Sequence, residues 1–145
     1  MSLGVQDIKT VLQRPDLGIL IIRVALGVVL ALAGWEKLSG GESTLHSIGS
    51  SVKFIGLEIG ENNAFTLFFG IAAAGSELIG GILIIFGWLF RTASFLLLGT
   101  MVVATALQYQ VSQGDITQYG YPMIIGLVLL GLIFTGPAKI SIQKD

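Results

Sequence analysis

Glu77 stands alone as a formal charge within GIAAAGSELIGGILIIFGW, residues 70–88. A carboxylate that deep in an apolar stretch is costly unless it meets a cation or a hydrogen-bonding ligand. The chemistry on offer is therefore ion pairing, proton holding or contact with a ligand's polar head. Two cations qualify as partners. Arg23 interrupts LGILIIRVALGVVLALAGW, and Lys37 follows in GWEKL. On a helix, Arg23, Gly27, Gly34 and Lys37 return to within about 40° of one face at 3.6 residues per turn. Counted from one side of a membrane, Arg23 lies about 9 Å deep and Glu77 about 18 Å deep at 1.5 Å per residue. A guanidinium side chain bridges much of that gap, and its fork matches a carboxylate bidentately. The expectation is an Arg23–Glu77 pair, with Lys37 in reach if the helices tilt. Gln108 shares a face with Met101 and Thr105 and is placed to hydrogen-bond a ligand or lipid headgroups.

The surrounding composition says what positions these groups. Of 145 residues, 53% are hydrophobic and 12% charged, at a mean hydropathy of +0.85. Soluble domains carry about 25% charged residues. Four apolar segments, about 17–36, 64–89, 92–110 and 119–136, approach the roughly 20 residues a helix needs to cross a bilayer. None alternates with a period of two, so the strand alternative is weak. The reading is an all-α integral membrane four-helix bundle, one domain over residues 1–145. ALA at residues 31–33 has the look of a signal cleavage site, but Arg23 breaks the apolar run and favours a retained span.

The connection after the first segment is too long for a simple hairpin. Within it, about 43–59, Leu45, Ile48, Val52, Ile55 and Ile59 recur at helical spacing, which predicts an amphipathic segment at the outer interface or re-entering the bundle. VQDIKTVLQRPD before the first span reads as a short surface helix. Around Glu77, the small residues Ala73, Ser76, Gly80 and Gly81 predict close helix packing. Lys9, Arg14, Arg91, Lys139 and Lys144 fall on the side of the termini, against Lys37 and Lys53 opposite, so both termini are expected in the cytoplasm. The tyrosines at 109, 119 and 121, with Trp35 and Trp88, read as an interfacial belt. His46 reads as a lone surface histidine, since no other ligands cluster with it, and no metal site is expected. The absence of cysteine excludes thiol redox chemistry in this chain. The near-neutral net charge gives no footprint for nucleic acid.

These residues resemble the DoxX family. An arginine early in the first helix, GWEKL at its end, SELIGGILIIFGWLFRTAS and the terminal LIFTGPAKISIQKD are similar to that family's pattern, over Leu17 to Ile142. The matching positions are Arg23, Lys37, Glu77, Gly80, Gly81 and Arg91. The resemblance implies a small protein of the bacterial cytoplasmic membrane, with relatives that include the membrane subunit of a thiosulfate:quinone oxidoreductase. Where many relatives carry a histidine in the third helix, this chain reads ATALQYQ, with Gln108 nearest.

Three functions follow as expectations. The first is a membrane subunit of an oxidoreductase or respiratory-type complex, without a redox centre or intrinsic cofactor, holding a quinone or lipid-like molecule near Arg23 and Glu77. The second is a structural accessory subunit that braces a larger complex. The third is a carrier of a small anion or metabolite, bound by Arg23 and Lys37. Membrane lipid, other membrane subunits or a second copy of the chain are the expected partners.

Overall fold

The structure, a computed structural model, describes residues 15–60 and 63–137. The expected N-terminal surface helix lies outside them, apart from Pro15 and Asp16, which open the first span. Five α-helices follow in order: α1 Pro15–Ser39, α2 Gly41–Ser50, α3 Ala64–Phe86, α4 Phe90–Val111 and α5 Ile116–Thr135. A 3-10 turn, Ser51–Ile55, extends α2. No strand occurs among the described residues. Helices α1, α3, α4 and α5 are each long and apolar enough to cross a membrane. The last two start earlier in the chain than the hydropathy alone predicts, because Leu89 and Asp115 set their first turns.

Local chemistry fixes the ends. Asn63 and Thr66 form a reciprocal cap on α3: the Thr66 N–H donates to Asn63 Oδ1 at 2.9 Å, and the Asn63 N–H donates to Thr66 Oγ1 at 3.1 Å. Such a box satisfies donors that an isolated helix start leaves open. At the other end, Gly87 turns left-handed, with φ 68°. Its N–H donates to the Ile84 carbonyl, and that of Trp88 to the Leu83 carbonyl. This Schellman arrangement stops α3 and lets α4 begin within a few residues.

Helix α1 packs most closely on α3, and α4 on α5; the two pairs join through α3 and α4. The core where they meet includes Leu30, Ile84, Phe90, Leu97, Leu129 and Leu132. Glycines set the α1–α3 distance: Gly27 lies against the Gly81 backbone, and Gly34 against Ala74 and Leu78. Outward, the bundle presents large apolar residues such as Ile21, Leu32, Phe68, Phe95 and Phe134. An apolar surface of that extent belongs against lipid tails.

The amphipathic segment does not run deep into the bundle. Helix α2 crosses the first turns of α3, with Gly49 against Thr66 and Gly70 against Leu45. The 3-10 turn then rests on α4. The segment thus covers the loop end of the bundle, opposite the end where α1 begins and α5 finishes.

Candidate functional site

Glu77 is buried, and its partner is Lys37. The Lys37 Nζ donates to Glu77 Oε1 at 2.6 Å and to Oε2 at 2.5 Å. The lysine side chain remains 33% exposed while that of the glutamate is 3% exposed. This corrects the expected Arg23–Glu77 pair. Arg23 is buried too, but its Nη1 donates to the carbonyl of Pro137, just past the end of α5.

The reason lies in helix direction. Side chains on an α-helix lean towards its N-terminus. Helices α1 and α3 are antiparallel, so Lys37 leans into the bundle while Glu77 leans out towards the loop end, and the two converge. Arg23 leans the same way as Lys37, towards the end that holds Pro137, and so away from Glu77. The glycine contacts fix the register. With Gly27 opposite Gly81 and Gly34 opposite Ala74 to Leu78, Arg23 sits roughly 15 Å along the axis from Glu77 and Lys37 roughly 6 Å. A lysine spans the shorter distance.

Beside this pair lies a cavity of about 460 Å³ between α3 and α4, roofed by the α2 segment through Ile48, Ser51, Val52 and Ile55. Lys37, Ser51, Ser76, Glu77, Thr100 and Gln108 supply its polar groups, the Ser51 hydroxyl donating to the Ser47 carbonyl at 3.3 Å; Phe69, Leu96, Val103 and Leu107 are among its apolar ones. Arg23 is not part of its wall, so a pocket near both Arg23 and Glu77 is replaced by one near Lys37, Glu77 and Gln108. Ala73 and Ser76, expected among the packing residues, line this cavity. Gly80 packs against Leu97 and Gly81 against Ala31 and Gly27.

The hydrogen-bonding capacity can be counted. The hydroxyl of Ser76 donates to the Ala73 carbonyl and that of Thr100 to the Leu97 carbonyl, both at 2.8 Å. Each keeps acceptor lone pairs only. The half-buried side-chain amide of Gln108 makes no hydrogen bond among the described residues. The ammonium of Lys37 carries three N–H groups, and Glu77 occupies two. Among the described residues, the open side-chain donors of the cavity are therefore the third lysine N–H and the Gln108 amide. Gly99 borders the cavity, and a Cβ built there meets nothing within 4 Å.

Two features escaped the sequence reading. Thr100 and Gly99 complete the α4 wall, and their four-residue spacing to Val103 and Ala104 was the available signal. His46, read as a surface residue, is half-buried. Its Nδ1 lies 2.7 Å from Thr66 Oγ1, tying α2 to the cap of α3, and its Nε2 lies 3.5 Å from Glu42. Among the described residues, no group of His, Cys, Asp and Glu side chains is arranged to hold a metal ion.

Four membrane-length apolar helices around a buried ion pair define a small multi-pass membrane protein. The family model of DoxX matches residues 18–110, more than half of the chain. The chain belongs to the DoxX family. No curated protein and no solved structure matches it.

Proposed function

We propose that the chain is a membrane subunit of an oxidoreductase-type complex in the bacterial cytoplasmic membrane, with both termini inside, and that its cavity holds a quinone or another lipid-like molecule. One observation carries the reading: a mostly apolar cavity with a few convergent polar groups, Lys37, Glu77 and Gln108, opens between two membrane helices. Ligand sites in general combine apolar walls with a few placed polar groups. In this reading the redox centre belongs to a partner subunit, which supplies the electrons. Exposed residues at the cavity's edge, Ala72 and Leu96, face the same side as the lipid-directed surface and offer a route from the bilayer.

The test is mass spectrometry of the protein purified in mild detergent, beside Gly99→Leu. A Cβ at Gly99 meets nothing within 4 Å, and the larger side chain should take up space in the cavity that Gly99 borders. Wild type should release a lipid-soluble molecule in near-equal amount to protein, and the variant should carry little. Equal content in both would overturn the reading.

A bracing role is the second reading. It is favoured by the mutual charge neutralisation of Lys37 and Glu77 across the close contact of α1 on α3. The anion carrier has less support, since Lys37 is committed to Glu77 and Arg23 to a backbone carbonyl.

A further inference from the structure

We infer that the cavity selects amphiphiles whose head is uncharged and accepts a hydrogen bond, and that Gln108 reads that head together with Lys37. The inference rests on the ligand-binding reading above and narrows it, since membranes offer anionic, cationic and neutral lipids alike.

The argument is one of charge and donor count. Among the described residues, the only charged side chains in the cavity wall are Lys37 and Glu77, and they neutralise each other. The remaining polar walls are Ser51, Ser76, Thr100 and Gln108, all uncharged. A charged head entering this space would lose water and gain no counter-charge, which burial does not tolerate. A head that only donates would find acceptor oxygens, but would leave the spare lysine N–H and the Gln108 amide protons unmet. Leaving these donors unmet once a bound ligand has displaced their water is costly. A carbonyl-type oxygen meets them. Gln108 adds an acceptor oxygen of its own, so a neighbouring hydroxyl on the ligand is also accommodated. Phosphate, sulfonate, carboxylate and quaternary ammonium heads are disfavoured.

The experiment uses the full chain in lipid nanodiscs and hexadecyl probes with a mid-chain diazirine. Their heads are a methyl ketone, a sulfonate or a trimethylammonium group. Photolabelling is mapped to cavity residues such as Ala72, Leu96 and Val103. The ketone probe should label them at least fivefold more than either charged probe, and Gly99→Leu should abolish the difference. Gln108→Leu should reduce ketone labelling at least threefold. Glu77→Gln leaves a lone ammonium, so the sulfonate probe should then overtake the ketone. If Glu77→Gln does not fold, Gln108→Leu decides, because it leaves the ion pair in place. Undiminished ketone labelling in Gln108→Leu would overturn the role of that residue. A charged probe equal to the ketone in wild type would overturn the neutral-head inference while the pocket stands. If no probe labels the cavity above the Gly99→Leu background, the pocket reading itself fails.

Discussion

The Lys37 ammonium sits between the two carboxylate oxygens of Glu77, at 2.6 and 2.5 Å, with the acid sealed and the base still partly reached from outside. The pair joins the last turn of α1 to the middle of α3. Removing one member strands the other. Breaking a buried pair costs about 3–5 kcal/mol, whereas replacing both members with apolar groups is often neutral. The exposure of Lys37 lowers that range. Lys37→Met is therefore expected to destabilise the protein by roughly 2–3 kcal/mol. The double variant Lys37→Met with Glu77→Leu should recover most of the loss. Equilibrium unfolding in mixed micelles measures both.

The glycines split into two kinds, and substitution should tell them apart. A Cβ at Gly81 would lie 2.6 Å from the backbone nitrogen of Ala31, and one at Gly27 would lie 2.6 Å from the Gly81 carbonyl. Neither backbone can yield without moving a helix. Gly81→Ala should cost about 1–3 kcal/mol by overpacking. Gly99→Ala meets nothing and exchanges glycine for a better helix former. It should be neutral or stabilising by up to about 1 kcal/mol. The same unfolding measurement, run on the two variants side by side, checks the contrast.

That contrast also shows what the sequence could reveal. Hydropathy located four spans, because burial in lipid demands a long apolar run whatever the neighbours are. It located the amphipathic segment, because Leu45, Ile48 and Val52 share a face. Glu77 and Lys37 were legible as candidates for a charge pair, Glu77 foremost through its cost in an apolar setting. The pairing was not, because helix phase alone places Arg23 and Lys37 on the same face. Only the register set by Gly27, Gly34 and Gly81, and the direction in which side chains lean, separates them. The cavity was less legible still, since it forms where α3 and α4 part around the 3-10 turn, which is a tertiary relationship.

His46 closes the roof. Its Nδ1 meets Thr66 Oγ1 at 2.7 Å, in the same cap that begins α3. Losing that bond should release the α2 segment without unfolding the spans. A hydrogen bond of this kind is worth about 1 kcal/mol, or about fivefold in an opening equilibrium. Amide exchange over residues 41–55 should quicken by about that factor in His46→Ala. Exchange in α4 should stay as it is, and Ser47→Ala should serve as the neutral control.

The sidedness of the proposed topology is open to direct test, because the chain contains no cysteine. Lys53 lies in the 3-10 turn at the loop end, and Arg91 lies at the start of α4 at the opposite end; both are exposed. In intact spheroplasts, a membrane-impermeant maleimide should label Lys53→Cys and spare Arg91→Cys until the membrane is opened. The reverse pattern would invert the orientation drawn from the positive charges.

Acid should loosen the first turn of α5 before it touches the rest of the bundle. Asp115 caps that helix: its Oδ1 accepts from the Thr117 N–H at 3.0 Å and from the Thr117 hydroxyl at 2.8 Å. These bonds, the backbone one foremost, hold the carboxyl below its ordinary value. A lowered value in the folded state means the unfolded chain binds the proton more readily. The cap's pH-dependent contribution is therefore complete well above the ordinary carboxylate value of about 4 and is lost as pH falls through the lowered one. Amide exchange at Thr117 and Gln118, corrected for intrinsic rates, should accelerate as pH falls below about 4. In Asp115→Asn the amide oxygen still accepts but does not titrate, so the corrected rates should stay flat over the same range. A wild type as flat as the variant would show that the carboxylate does not hold the cap.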